Sequence, residues 1–313
     1  MNRYIVGVFL VIVSGVCYGF SPILAVYAYR GGASVADYVF LRYGIASLFY
    51  LLYILIYKRS IFKALGRIKL ALPLMAGSSQ AVSTYLYMST VKSISAGLAA
   101  ILFYTYIVWV AVWGFVFKKE RLKIKGIAGI ALALTGLALV VGVSWGKIST
   151  IGIFMGQAAA LVCSAVVMAS NETLKQLEPV VASAFISFFT AIPLFLLGSA
   201  TGALHLQMSL TAWLAAIASA IISCNFALFA FMAGMERVGS TTASVLCTAE
   251  PVTAVVFSAL LLSEKMTALQ MLGGMVLLIG AVLVVTAKKT DSAEILYSRS
   301  SHCASKLNPC ERK

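Results

Sequence analysis

Charge is what this 313-residue chain has least of: Asp, Glu, Lys and Arg together make up 11% of it, and only ten residues are acidic. Soluble globular chains carry about 25% charged residues, so this composition excludes a water-facing domain over most of its length. Histidine is nearly missing, with His205 and His302 alone, and no HExxH, GxSxG or phosphate-binding glycine loop occurs. Metalloprotease, acyl-transfer and nucleotide chemistry therefore lack their usual groups, and the chain is not expected to be an enzyme. Cysteine says little. Cys17, Cys163, Cys224 and Cys247 lie in apolar runs and read as small apolar residues, while Cys303, Cys310 and His302 form only a weak metal pattern. Neither a metal nor a cofactor is expected.

What is there is apolar length. Hydrophobic residues make up 61% of the chain and the mean hydropathy is +0.99. Ten runs are long enough to cross roughly 30 Å of hydrocarbon, near 4–28, 35–57, 69–90, 95–117, 124–143, 150–170, 180–199, 211–233, 239–262 and 266–287. The first run follows Arg3 as a signal peptide would, but it is too long for an h-region and nine spans follow, so it reads as a helix. The polar tail, residues 288–313, is rich in Ser and Lys and reads as a disordered cytoplasmic segment. With the N-terminus inside, cytoplasmic segments hold 19 of the Lys and Arg residues and outer segments four. This bias places both termini of a multi-pass membrane protein in the cytoplasm. The formal charge of +14 then reports topology and anionic lipid, and no nucleic-acid partner is expected.

The runs repeat. Residues 94–142 lie over 238–286 without a gap at an offset of 144, which pairs Glu120 with Glu264, Arg121 with Lys265, Gly129 with Gly273 and Gly136 with Gly280. Five spans per half is an odd number, so the second half enters the membrane upside down. That is the inverted-repeat plan, in which substrate binds near the midplane between halves that exchange shapes. A first repeat over 4–143 and a second over 150–287 follow. Nothing in the pattern specifies an oligomeric state.

The segment Thr248-Ala249-Glu250-Pro251-Val252, with Leu262-Ser263-Glu264-Lys265, Gly273-Gly274 and Gly280, resembles the closing part of an EamA domain of the drug/metabolite transporter superfamily. Lys119-Glu120-Arg121-Leu122 with Gly129 and Gly136 resembles a second copy. The resemblance covers about residues 5–287 and implies a 5+5 helix bundle around a central cavity. It also implies a transporter of small metabolites across a prokaryotic cytoplasmic membrane; amino-acid exporters are among such proteins. Two departures stand out: Tyr106-Ile107 replaces the Glu-Pro pair in the first copy, and the first helix reads Cys17-Tyr18-Gly19-Phe20-Ser21-Pro22 where many members carry Trp before Gly.

A charge at the bilayer centre costs several kcal/mol and persists with a partner or a wet cavity. Glu250 lies mid-span before Pro251, whose missing N–H loosens the helix one turn earlier. It is read either as a proton or substrate-amine site or as an acceptor that locks the bundle. Arg42, about 10 Å down the second span, either meets a substrate carboxylate or snorkels to the headgroups. Of the neutral candidates, Gln80, Gln157 and Asn225 need a partner or water more than Ser and Thr do. Tyr85 and Tyr106 are added as aromatic lining, although most aromatics of the fourth span are read as lipid-facing. The resulting expectation is a carrier exporting amino acids or similar metabolites by alternating access, with possible proton exchange at Glu250. Uptake, and a non-transporting sensor or assembly role, are the alternatives.

Overall fold

A computed structural model describes residues 3–57, 70–118, 124–142, 149–238, 243, 246–247, 249–265, 267–269, 271–280 and 282–283. Glu120, the tail, and all of the Gly239–Ser244 run except Ala243 lie outside the described residues. Every regular element among them is helical: α1 (Arg3–Gly19), α2 (Ser21–Arg30), α3 (Val35–Tyr57), α4 (Ala71–Ser93), α5 (Ala96–Phe103), α6 (Tyr106–Lys118), α7 (Ile124–Gly142), α8 (Thr150–Leu174), α9 (Pro179–Ala200), α10 (Leu210–Ser219), a π-helical stretch (Ala220–Ala227), α11 (Leu228–Val238), α12 (Ala249–Leu262) and α13 (Met271–Gly280). Collinear pieces join into ten rods, the first from α1 and α2, the fourth from α5 and α6, and the eighth from α10 through α11.

Five of these rods are long and apolar enough by themselves to cross a bilayer: Arg3–Arg30, Val35–Tyr57, Thr150–Leu174, Pro179–Ala200 and Leu210–Val238. The outward faces are made of large apolar side chains, as on α3, where Leu48, Leu52 and Ile56 are exposed. In water such a surface would aggregate; in lipid it is the solvated one. The inner surfaces carry Ala, Ser and Gly, which let backbones approach where packing rather than hydrophobicity drives association.

Packing shows how the halves are related. A Cβ on Gly136 of α7 would fall 2.6 Å from the Gly273 oxygen, and one on Gly280 of α13 would fall 2.7 Å from the Gly129 oxygen. Exchanging the halves by the 144-residue offset maps each contact onto the other, and the two helices cross antiparallel. Only a two-fold axis perpendicular to both helices does this, so it lies in the plane of the membrane. The same exchange carries the α1–α11 contact onto α8–α4. Each of these two helix pairs also carries a buried serine bond, Ser14 Oγ to the Ala227 oxygen at 2.8 Å and Ser83 Oγ to the Ala159 oxygen at 2.9 Å. The protein is an all-α membrane protein of two inverted repeats.

Three rods are interrupted, two of them at prolines. Pro22, in the first turn of α2, ends α1 at Gly19. The sixth rod, which has no such proline, runs unbroken through α8. The fourth breaks at Tyr104-Thr105 and the ninth resumes at Ala249, so Tyr106 and Glu250 sit at equivalent positions beside equivalent breaks. Pro251 occupies the first turn of α12, where a missing N–H leaves no helical bond unmade.

Candidate functional site: a charged cavity between the halves

The interruptions converge on one cavity of about 130 Å³. Arg42, Tyr43, Gln80, Tyr106, Cys224 and Glu250 supply much of its polar lining, and Phe103, Ile186, Leu228 and Phe231 supply apolar wall. Both halves contribute, as an inverted repeat requires of a midplane site.

Arg42 does not snorkel. Its side chain turns inward and the residue is 3% exposed. The guanidinium carbon stands 5.7 Å from the centroid of Tyr38 and 5.3 Å from that of Tyr43, and Nε donates to Cys224 Sγ at 3.2 Å. Tyr38 is fixed in turn by donating to the Ser21 oxygen at 3.0 Å and to Ser219 Oγ at 2.8 Å. One guanidinium nitrogen, Nη1, is buried without a hydrogen-bond partner. Two rings and a thiol hold the cation in place, and no carboxylate lies within ion-pair distance of it among the described residues.

Glu250 is the complementary case. Gly15 and Gly19 bring the backbone of the first rod against the start of α12: a Cβ on Gly19 would lie 2.8 Å from the Glu250 oxygen. The Glu250 amide donates to the Cys247 oxygen at 2.9 Å across the interruption. Its half-buried carboxylate faces the cavity in the first turn of a helix, where the helix dipole favours negative charge. Among the described residues it makes no hydrogen bond and no ion pair within 4 Å.

The other candidates divide. Gln80 lines the cavity and donates to Tyr43 Oη at 2.9 Å and Thr84 Oγ1 at 2.8 Å, while Tyr106 lines it beside Phe103. Gln157 lies behind the wall. It accepts from Thr105 Oγ1 at 3.1 Å and donates to the Leu102 oxygen at 3.3 Å, satisfying backbone and hydroxyl at the interruption of the fourth rod. Asn225 lies in the π-helical stretch; its backbone oxygen accepts from Tyr50 Oη at 2.8 Å and its side-chain oxygen is buried without a partner. Tyr85 packs on the flank of the core, outside the cavity lining. Tyr104, one of the fourth-span aromatics of which most were expected to face lipid, is 0% exposed.

Tyr43 and Cys224 escaped the sequence reading. A signal existed for Cys224, which stands at the repeat position of Gln80, so both copies bring the same point of the third and eighth rods to the cavity. Asp37 also went unnoticed, although Ser34-Val35-Ala36-Asp37 before an apolar run is a capping-box pattern.

Two inverted helical halves around a cavity lined by Arg42 and Glu250 fit a membrane transporter. The EamA-like transporter family matches the chain twice, over residues 5–142 and 150–286, and the chain belongs to that family. Among solved structures it is similar to one described as "Crystal structure of protein", with TM-score 0.66 and 16% identity, covering 89% of this chain and 96% of that one; this likeness concerns the fold alone. No curated protein matches it significantly.

Proposed function

We propose that the protein carries amino acids or closely related small metabolites across the cytoplasmic membrane by alternating access, in the direction of export. One observation carries this reading: Arg42 and Glu250, opposite in charge and without ion-pair partners among the described residues, face the same cavity. Leaving both unpaired costs several kcal/mol. A ligand with a carboxylate for Arg42 and an ammonium group for Glu250 recovers that cost when it binds, and the apolar wall accommodates its side chain. Planar guanidinium matches carboxylate with two parallel hydrogen bonds. Unoccupied, Glu250 is available to take a proton, which supports proton exchange as the driving step. The basic bias of the connecting segments supports both termini on the cytoplasmic side.

The test is counterflow in proteoliposomes loaded with a mixed pool of amino acids and related metabolites, following uptake of individual labelled compounds, with protein-free liposomes as control. Saturable exchange of zwitterionic compounds is expected. Exchange confined to compounds lacking either the carboxylate or the amine would refute the reading.

A further inference from the structure

Two carboxylates tie the halves together on the face of the membrane that the positive-inside bias makes external, and they are built differently. Asp37 in the first turn of α3 is 2% exposed. Its Oδ2 accepts from the Ser34 amide at 3.0 Å, while the Asp37 amide donates to Ser34 Oγ at 2.9 Å, which closes a capping box. Its Oδ1 accepts from the amides of His205 and Leu206 at 2.9 and 3.1 Å, in the loop before α10. Ser34 Oγ adds a bond to the Ala203 oxygen at 2.7 Å. A dry, fully bonded clasp of this kind is permanent.

Glu264 makes the other tie. From the connection after α12 its Oε1 accepts from the Ala96 amide at 3.1 Å and its Oε2 from the Gly97 amide at 3.4 Å. These are among the orphan donors of the first turn of α5. The carboxylate is only half-buried, and one of its bonds is long. It is held out by Ser263, an exposed non-glycine residue at φ 55°, in the left-handed region that side chains avoid. The helix it holds is short. Between the tie at Ala96 and the interruption at Tyr104-Thr105, α5 is an eight-residue rod whose last residue, Phe103, forms cavity wall and stacks on Tyr87 at 4.3 Å.

We infer that Glu264 is a releasable latch on α5: bound to Ala96 and Gly97 it keeps the cavity closed toward that face, and its release lets α5 swing about the Tyr104-Thr105 interruption and carry Phe103 out of the wall. Glu264 is thus a positioning residue of the transport cycle, and Asp37 is the fixed anchor beside it. This rests on the carrier reading but not on the identity of the substrate.

The cavity carries its own reporters, the free thiols Cys224 and Cys247. In right-side-out vesicles without substrate, a membrane-impermeant methanethiosulfonate reagent is added to the external face, and labelling of each thiol is followed by peptide mass spectrometry. Glu264→Gln keeps one acceptor oxygen and Glu264→Ala keeps none. Labelling is expected to accelerate about tenfold or more in the alanine variant and less in the glutamine variant, the scale of one lost charge-assisted hydrogen bond. Asp37→Asn is expected to lower the unfolding temperature with no change in labelling. Wild-type labelling rates in a folded Glu264→Ala protein would overturn the proposal. Should that variant not fold, the same result in Glu264→Gln would overturn it. If the latch holds while counterflow finds no zwitterion exchanged, only the substrate reading fails.

Discussion

Replacing Arg42 separates a side chain that builds the protein from one that works in it. In the folded state the guanidinium gains two ring contacts, at 5.7 and 5.3 Å, and one bond to a thiol. Cation–π contacts contribute about 0.5–2 kcal/mol each, whereas the desolvation of a buried cation without a counter-ion costs several kcal/mol. The two nearly cancel. Arg42→Met, which preserves much of the length and removes the charge, should therefore change folding stability by about 1 kcal/mol or less, or raise it. Binding should respond differently. Loss of charge-assisted hydrogen bonds to a substrate carboxylate removes about 1.5–3 kcal/mol, or about 10- to 150-fold in affinity. Arg42→Lys should also lose affinity, because a point charge cannot reproduce the two parallel bonds. The assay pairs thermal unfolding of purified protein with half-saturation in counterflow, for the substrate and for its carboxamide analogue. Wild type should prefer the acid, and Arg42→Met should not distinguish the two. A variant that unfolds several degrees lower yet exchanges substrate with wild-type constants would refute the argument.

Other expected outcomes follow from the same geometry. Glu250→Gln should abolish accumulation driven by a pH gradient while leaving substrate exchange measurable; an unchanged response to the gradient in transport assays would remove Glu250 from proton coupling. Gly19→Ala places a methyl group 2.6 Å from Thr253 Cβ and 2.8 Å from the Glu250 oxygen. It should cost about 1–3 kcal/mol, read by thermal unfolding, and slow exchange by displacing the start of α12. Gln157→Leu leaves the Leu102 oxygen and the Thr105 hydroxyl without their cross-rod partner. Because the Thr105 hydroxyl still donates to the Leu102 oxygen at 2.8 Å, the substitution should lower stability by only about 0.5–1.5 kcal/mol with half-saturation in counterflow unchanged, whereas a shift in half-saturation would place Gln157 in contact with substrate.

Much of the architecture was legible because the bilayer allows few solutions. Apolar run length located the rods, and the second came out at Val35–Tyr57 on both grounds. The register of Gly129, Gly136, Gly273 and Gly280 marked the repeat, and the structure shows these glycines making a close antiparallel crossing. Interruptions were harder to see. Pro22 and Pro251 mark two of them, but the break at Tyr104-Thr105 has no proline, and its freed groups are met by the Thr105 hydroxyl and by Gln157 from α8. The site was legible where it is charged, since Arg42 and Glu250 stand out against an apolar background. It was not legible where polar side chains serve the backbone instead, because Gln80 in the cavity and Gln157 behind it look alike until the rotation of each helix is known. The direction of Arg42 was likewise undetermined until Tyr38, Tyr43 and Cys224 were seen to enclose it.

The central claim is that substrate occupies the cavity between Arg42 and Glu250, and protection of the cavity thiols tests it most directly. Alkylation of Cys224 and Cys247 should slow as the exchanged compound is added, with half-protection at its counterflow half-saturation and no protection in Arg42→Met at that concentration. A compound that exchanges saturably while both thiols react at their substrate-free rates would contradict the account.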